Sequence, residues 1–266
     1  MTGRGDAGGL VVEERDRVVY ARLDRPGALN ALDERVVERL DGVLAGIERD
    51  DSVRALVLTG TGETFCVGMD LACLERGFRD HAYFRRFLDR LAGVLLRMES
   101  LPVPVVAAVN GLTRAGGFEI VLASDLVVAA HEARIADDHG RFAVLPGGGA
   151  TQRAPRKLGR QRAAELILTA RWIDGRAAAE YGIALRSVPR ADLAAAVEEL
   201  VDQLRNKSRA FLGAAKAAMR DGATLALADA VRLEIDRFIE HLERSPDAQE
   251  GFTAYREKRP PRWSMR

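Results

Sequence analysis

The chain alternates between strand-type and helix-type hydrophobic patterns over roughly its first 190 residues, and this alternation limits the possible folds more than any other feature. The strand-type segments are short and rich in Val, Leu and Ala, and they lie at 17–24, 53–60, 102–111 and 126–130. Two longer segments, 31–50 and 81–99, repeat apolar residues at helical spacing. A chain organised in this way is expected to form α/β layers with largely parallel strands.

The pattern changes to helices alone towards the C-terminus. Four helix-type segments follow one another there, separated by Gly, Ser and Pro. We therefore expect an α/β core at residues 10–195 and a helical region at 196–266, with residues 1–9 disordered.

Composition excludes several classes of protein. The formal net charge is +1, so the charge balance indicates neither nucleic acid nor an anionic membrane as a partner. The N-terminus lacks the apolar segment of a signal peptide, and the longest apolar run, VPVVAAV, is too short to span a bilayer. Cys66 and Cys73 match no common zinc spacing and are expected to be reduced thiols. These features favour a soluble, cytoplasmic protein.

Two glycine-rich stretches raise the question of a nucleotide site. TGTGETF places Gly60 and Gly62 after a strand, but Phe65 stands where a dinucleotide-binding fingerprint needs its third glycine. PGGGATQR, at 146–153, lacks the Gly-Lys-Ser/Thr of a P-loop. Both stretches are therefore expected to be turns, the second one leading into a helix that starts near Thr151.

Three adjacent polar residues, Asp137, Asp138 and His139, precede that second turn. Side chains that are adjacent in sequence rarely converge on one ion, so we expect no metal site there. In an extended segment, Asp137 would lie on the same side as His139, and Asp138 would face away.

A stronger candidate site combines backbone amides with a carboxylate. Gly116 and Gly117 precede a predicted helix, and the N-terminus of a helix presents free N–H groups and a partial positive charge. The amide of Gly116, paired with that of Met69, can hold a carbonyl oxygen that becomes an oxyanion. Glu119 lies within reach of the same ligand and can act as a general acid or base. An equal alternative is that Glu119 only complements the helix dipole.

Five ordered segments carry a family resemblance: RPGALNAL (25–32), ETFCVGMDL, LPVPVVAAVNGLTRAGGFEIVLASD, LPGGGATQR and QEGFTAYREKR. In this order and spacing they resemble the crotonase, or enoyl-CoA hydratase/isomerase, superfamily. The resemblance implies an α/β fold, a crotonase-like spiral of ββα units with a C-terminal helical trimerisation region. It further implies a homotrimer or dimer of trimers, an acyl-CoA thioester as substrate, a place in fatty acid metabolism, and no separate cofactor, because CoA is part of the substrate.

The resemblance also implies roles for individual residues. Met69 and Gly116 match the oxyanion-hole amides and Glu119 matches a catalytic carboxylate, although Ala115 stands where many relatives have another glycine. Lys258 matches a lysine that meets a CoA phosphate, often in a neighbouring subunit, whereas a solvated basic surface explains that tail equally well. The other CoA or substrate candidates are Gly27, Ala28, Leu29, Asp70, Leu71 and Ala72.

One departure from the family concerns the second catalytic residue of hydratases. In hydratases a second glutamate precedes the Pro of PGGGxTQR by seven residues, and counting back from Pro146 gives His139. His139 can still form an acid–base pair with Glu119, because imidazole titrates near neutral pH. Asp137 is a further candidate in a shifted register. Alternatively, His139 is a hydrogen-bonded spacer in the pocket wall.

Three functions follow from these considerations. The first is an enoyl-CoA hydratase-like lyase with Glu119 as the principal acid–base group. The second is isomerisation, decarboxylation or another acyl-CoA reaction on the same oxyanion hole. The third is a non-catalytic acyl-CoA-binding protein, which the missing second glutamate allows and the presence of Glu119 disfavours.

The segment 74–90 is expected to border the acyl pocket. Its aromatic side chains are more often core residues than substrate contacts; they are Phe78, Tyr83, Phe84 and Phe87.

Overall fold

A computed structural model describes residues 8–264 of the chain. In chain order its strands are β1 (Leu10–Arg15), β2 (Val18–Leu23), β3 (Ala55–Gly60), β4 (Thr64–Cys66), β5 (Val105–Val109), β6 (Leu112–Arg114), β7 (Leu126–Ala130), β8 (Arg134–Ala136), β9 (Ile173–Asp174) and β10 (Arg186–Val188). Its helices are α1 (Glu34–Arg49), α2 (Leu71–Arg79), α3 (His81–Ser100), α4 (Gly116–Ala123), α5 (Ala150–Leu158), α6 (Arg160–Thr169), α7 (Gly175–Glu180), α8 (Leu193–Arg205), α9 (Arg209–Gly222), α10 (Leu227–Arg244) and α11 (Asp247–Glu257).

The strands form two sheets. The larger has the order β1-β2-β3-β5-β7-β10, and every neighbouring pair in it is parallel except β1 and β2. The smaller has the order β4-β6-β8-β9, with only β9 antiparallel to its neighbour. The prediction of an α/β fold with largely parallel pairing is confirmed.

A repeating unit links the two sheets. β3, β5 and β7 lie side by side in the larger sheet, and each is followed directly by a strand of the smaller sheet, namely β4, β6 and β8. Helices then return the chain: α2 and α3 after β4, α4 after β6, and α5 and α6 after β8. This order is a spiral of ββα units, which confirms the expected fold.

The helices cover the larger sheet with their apolar faces. α1 begins where the carboxylate of Asp33 accepts a hydrogen bond of 2.9 Å from the amide of Val36, which satisfies one of the free N–H groups of the first turn. Its Leu40, Leu44 and Ile47 then lie on one side of the helix and are buried in the core. α3 packs beside α1, and its central residues complete this layer.

The C-terminal helices differ in how they meet the core. α8 packs against β3, β5 and β7, whereas α9 contacts α3. The ammonium of Lys216 on α9 anchors that helix by donating to the carbonyl oxygens of Met98 and Val103 and to the carboxylate of Asp125. α10 packs on α9 and α11, and none of its residues is buried.

Most of the sequence-derived helices and strands agree with the structure within a few residues. The predicted disorder of residues 1–9 falls mainly on residues 1–7, which lie outside the described part of the chain. Residues 8 and 9 form a turn that leads into β1.

Within residues 8–264, no helix is both long enough and apolar enough to cross a membrane. In the same range, no three His, Cys, Asp or Glu side chains come together in an arrangement that could hold a metal ion. Cys66 and Cys73 are unpaired and buried.

Candidate active site

A cavity of about 370 Å³ opens where α2, α3 and α4 meet the segment after β8. Most of its wall is apolar, and its apolar lining includes Leu74, Phe78, Phe84, Leu88, Phe142 and Leu145. Its polar side chains are Arg114, Glu119, Asp138 and His139, and Met69 and Gly116 also line it. A mostly apolar cavity with a few polar groups is a typical site for a small-molecule ligand.

The two predicted oxyanion amides come from loops in close contact. Gly68 has φ of +88°, and a Cβ atom at that position would lie 2.7 Å from the nitrogen of Gly116. Loop 25–32 holds the Met69 loop through two hydrogen bonds, from Leu32 N to Gly68 O and from Asp70 N to Leu32 O. Neither bond uses the amide of Met69, and Gly116 is the first residue of α4, where amides have no partner within the helix.

Ala115, which precedes this helix, has a conformation that favours glycine. Its φ of +48° and ψ of −120° place it outside the usual regions for a residue with a Cβ atom. Such strain persists only where the surroundings enforce it. Here the amide of Ala115 donates to the carbonyl of Asp137, which ties the helix start to the segment that carries His139.

Glu119 is fixed by backbone amides from the loop that precedes α5. Its Oε1 accepts hydrogen bonds from the amides of Gly148 (2.7 Å) and Ala150 (3.1 Å). Both bonds go to the same oxygen, which leaves Oε2 for a ligand in the cavity. Glu119 as a whole is only 2% exposed. This burial raises the pKa of Glu119, although the two amides and the nearby His139 favour its ionised form.

His139 lines the cavity and is held from behind by Asp137. The imidazole Nδ1 lies 3.1 Å from Oδ1 of Asp137, so Nε2 is the nitrogen left to face a ligand. Burial alone would lower the pKa of His139. The hydrogen bond to Asp137 and the charges of Asp137, Glu119 and Asp138 outweigh that effect and raise it.

The expected placement of the two aspartates is wrong. Asp137 does not line the cavity but lies behind His139 with its side chain fully buried, whereas Asp138 lines the cavity. The reason is that the segment is not extended after β8. Asp138 adopts a left-handed conformation (φ +58°), and a short 3₁₀ turn, His139–Phe142, begins immediately after it. The alternation of sides that holds for a strand therefore ends at Ala136.

Most of the predicted CoA-contacting residues lie either on loop 25–32 or at the start of α2. Gly27 and Leu29 are exposed on loop 25–32, next to the loop of Met69. Asp70 begins α2, where it accepts from the amide of Ala72 and pairs with Arg25 at 2.9 Å. Two further members of the set are Ala28, which is partly exposed, and Leu71, which lines the cavity.

Lys258 lies apart from these groups. It is an exposed residue at the C-terminal end of α11, a helix that packs on α9 and α10. None of the described residues lining the cavity comes from α11. Within one chain, the structure therefore does not bring Lys258 into the cavity.

The segment 74–90 borders the cavity as expected, but its aromatic residues do not all belong to the core. Tyr83 and Phe87 are buried in the protein interior, whereas Phe78 and Phe84 form part of the cavity wall. The latter two rings meet edge to face, with centroids 5.9 Å apart. They lie on two consecutive helices, α2 and α3, so sequence spacing did not indicate that they face each other.

Sequence reasoning missed Gly148 and Arg114. Gly148 is part of a visible glycine run, but its role depends on contact with Glu119: a Cβ atom at this position would lie 2.4 Å from Oε2. Arg114 is a charged residue two positions before Gly116, and its guanidinium pairs with Asp138 inside the cavity wall. A charged side chain two positions before Gly116 was the feature of the sequence that could have identified Arg114 as a cavity residue.

Comparisons with known proteins agree with this geometry. The sequence model of the family described as "Enoyl-CoA hydratase/isomerase" matches residues 13–266. Carnitinyl-CoA dehydratase of Proteus mirabilis is 32% identical, over 97% of this chain and 98% of the relative. The mitochondrial methylglutaconyl-CoA hydratase of Homo sapiens is 31% identical, over 94% of this chain and 75% of the relative.

A solved structure supports the same assignment. The enoyl-CoA hydratase of Bacillus anthracis superposes with a TM-score of 0.92 at 32% identity, over 97% of this chain and 100% of that one. Likeness of this extent in both sequence and fold covers the spiral, the loops that contain Met69 and Gly116, and the helical C-terminus. The chain therefore belongs to the enoyl-CoA hydratase/isomerase family, also called the crotonase family.

Proposed function

We propose that the protein is an enoyl-CoA hydratase-like lyase, which adds water across the α,β double bond of an acyl-CoA thioester. The observation that carries the proposal is that Glu119 and His139 line one cavity together with Met69 and Gly116. Two acid–base groups are what hydration needs, and two backbone amides are what the thioester oxygen needs. No separate cofactor is required, because CoA is part of the substrate.

The amides of Met69 and Gly116 bind the thioester oxygen. As water adds to the β carbon, the electron pair of the double bond moves towards that oxygen, which acquires enolate charge. Donors that are already oriented in a mostly apolar cavity stabilise this charge strongly, and removal of one such donor costs about 3 kcal/mol in a well-studied case. The strained turn at Ala115 positions the Gly116 amide for this purpose.

Glu119 and His139 divide the proton transfers. Ionised Glu119 takes a proton from water through Oε2, and the oxygen forms its bond to the β carbon. The imidazolium of His139 then gives the proton on Nε2 to the α carbon, and the enolate collapses to the saturated thioester. The carboxylate of Asp137 supports this role, because it favours the protonated imidazole and orients the ring.

The CoA portion is proposed to leave the cavity beside loop 25–32. Gly27, Ala28 and Leu29 lie on that loop, and Asp70, Leu71 and Ala72 form the adjoining start of α2. Lys258 would reach a CoA phosphate from a neighbouring subunit, since within its own chain it lies outside the cavity lining.

The second candidate function is isomerisation of a 3-enoyl thioester, which the family description includes. Isomerisation needs the same oxyanion hole and can proceed with Glu119 alone as the group that moves a proton. Decarboxylation and binding without catalysis require still fewer of the polar groups that line the cavity. Hydration is favoured because His139 is oriented by a buried carboxylate, which a passive wall residue does not need.

Purified protein tested against a panel of thioesters separates these functions. A hydratase removes the 2-enoyl absorbance of crotonyl-CoA and gives a product heavier by one water. An isomerase instead creates 2-enoyl absorbance from 3-hexenoyl-CoA, with no change in mass. If neither substrate changes while calorimetry detects binding of both, the protein is a binder and the hydratase proposal is wrong.

We also propose that the protein forms a homotrimer or a dimer of trimers. α10 has an apolar face that its own chain leaves uncovered: Leu227, Val231, Ile235, Phe238 and Leu242 follow helical spacing and are all exposed. An exposed apolar face of this kind is typical of an interface between subunits. α10 also contacts α11, and Lys258 directly follows that helix.

A further inference from the structure

The cavity contains one polar pair that the proposed hydration does not use. Nη1 of Arg114 donates to Oδ2 of Asp138 at 3.1 Å, and both residues line the cavity. Arg114 is the last residue of β6, two positions before Gly116. Asp138 directly precedes His139. The pair therefore flanks the elements that hold the reacting part of the substrate.

Asp138 is incompletely satisfied. Its side chain is 1% exposed, and its Oδ1 is buried with no hydrogen-bond partner among the described residues. A buried oxygen without a partner is energetically unfavourable. The residue also adopts a left-handed conformation, with φ of +58°. Unsatisfied groups and backbone strain of this kind concentrate at ligand sites.

Arg114 has further hydrogen-bonding capacity. A guanidinium carries five N–H donors, and the bond to Asp138 uses one of them. The side chain is 29% exposed, and the ring of Phe142, another cavity residue, lies 5.9 Å from the guanidinium carbon. The pair therefore offers the cavity both donors, from Arg114, and an acceptor, Oδ1 of Asp138.

This combination selects one chemical class of partner. A hydroxyl group can donate to Oδ1 of Asp138 and accept from Arg114 at the same time. A carboxylate on the substrate would be repelled by Asp138 and by the neighbouring Asp137, which are buried within the same segment. An alkyl group would leave both members of the pair without partners.

We propose that the acyl group of the substrate carries a hydroxyl, which binds between Arg114 and Asp138. This inference rests on the proposed function to the extent that the ligand is an acyl-CoA thioester. It adds a specificity-determining pair to the site. Sites that hydrogen-bond a substrate hydroxyl discriminate strongly against the analogue that lacks it.

Binding of unreactive thioethers tests the inference separately from catalysis. We would measure by calorimetry the affinities of S-hexyl-CoA and of its 4-, 5- and 6-hydroxy derivatives. At least one hydroxy derivative is expected to bind about 10-fold or more tightly than S-hexyl-CoA. In the double variant Arg114→Met/Asp138→Gly the ratio should fall to about 1, because neither residue then offers a side-chain hydrogen bond to a hydroxyl. Gly tolerates the left-handed conformation at position 138, so this change removes the carboxylate without adding backbone strain.

Arg141→Met is the matched control, because Arg141 also lies against the ring of Phe142 but is exposed and does not line the cavity. This variant should keep the wild-type preference for the hydroxy derivative. Equal affinities of all four thioethers for the wild type would overturn the inference and leave the proposed function standing. A preference that persists in the double variant would also overturn it. Binding of none of them would also overturn the inference, whereas the hydratase proposal is tested separately by turnover of crotonyl-CoA.

Discussion

At the scale of single residues, His139 and Asp137 act as a unit. Three carboxylates raise the pKa of His139 against the lowering effect of burial, and Asp137 makes the direct hydrogen bond. Burial also raises the pKa of Glu119. If Glu119 must be ionised and His139 protonated, kcat/KM rises as pH increases through the pKa of Glu119 and falls as pH increases through that of His139. These pKa values describe the pair together.

We predict that Asp137→Asn shifts the alkaline limb of this profile to lower pH. The variant removes the charge that favours imidazolium, while the Asn oxygen can still accept from Nδ1. The measurement is kcat/KM against pH, with Asp192→Asn as the control, since Asp192 is an exposed residue away from the cavity lining. An unchanged alkaline limb in Asp137→Asn would show that Asp137 does not act through His139.

A second residue-scale prediction concerns the support of Glu119. In Gly148→Ala, the new Cβ atom would lie 2.4 Å from Oε2 of Glu119, so the carboxylate must move. We expect kcat/KM to fall about 10- to 100-fold, since small displacements of a catalytic group are costly, with little change in Tm. Gly93→Ala is the control, because a Cβ atom there meets no atom within 4 Å. Full activity in Gly148→Ala would argue against this position for the base.

The sequence indicated some of these residues and not others. Gly116 and Glu119 were identified from a glycine turn before a helix together with the family resemblance, since the turn alone left Glu119 equally well explained by the helix dipole. Asp138 was not, since a single left-handed residue leaves no mark on the hydrophobic pattern. Gly148 acts through a contact with a residue 29 positions away, which local sequence cannot reveal.

At the scale of secondary-structure elements, the position of α4 depends on close packing against β4. A Cβ atom on Gly117 would lie 2.1 Å from the carbonyl oxygen of Cys66. Gly117→Ala must therefore move α4 away from β4, and overpacking of this kind typically costs 1–3 kcal/mol. We expect a lower midpoint of denaturant unfolding together with loss of activity, because Gly116 and Glu119 move with the helix.

The comparison for this prediction is Gly46→Ala on α1, where a new Cβ atom meets nothing within 4 Å. Its free energy of unfolding should stay within about 0.5 kcal/mol of wild type or increase. Unfolding curves for Gly117→Ala that match those of Gly46→Ala would show that the contact between α4 and β4 is looser than described.

How well a helix or strand could be predicted from the sequence depended on the number of residues in it. α1 and α3 were anticipated closely because each contains enough residues for its periodicity to appear, and β7 was anticipated because it is a continuous apolar run. The strands β4, β6 and β8 have three residues each and β9 has two, which is too short to show any alternation. The smaller sheet, and with it the spiral, was therefore accessible through the family resemblance and not through local pattern.

At the scale of the whole molecule, the apolar face of α10 predicts self-association. Phe238 is 58% exposed in the single chain and belongs to that face. In Phe238→Glu, a charge would have to be buried at the proposed interface, which is unfavourable. Light scattering after size-exclusion chromatography should give a trimer or hexamer for the wild type and a smaller species for the variant. Wild type that elutes as a monomer at micromolar concentration would contradict the proposal.

The proposed hydration of an enoyl thioester depends most directly on Glu119 as the catalytic base. The decisive measurement is the rate at which the 2-enoyl absorbance of crotonyl-CoA disappears with wild type and with Glu119→Gln. Gln can keep the bonds from Gly148 and Ala150 through its own carbonyl oxygen but cannot take a proton from water. We predict turnover by the wild type and a rate about 100- to 10,000-fold lower for the variant. Equal rates for the two proteins, or no hydration by the wild type, would contradict the account.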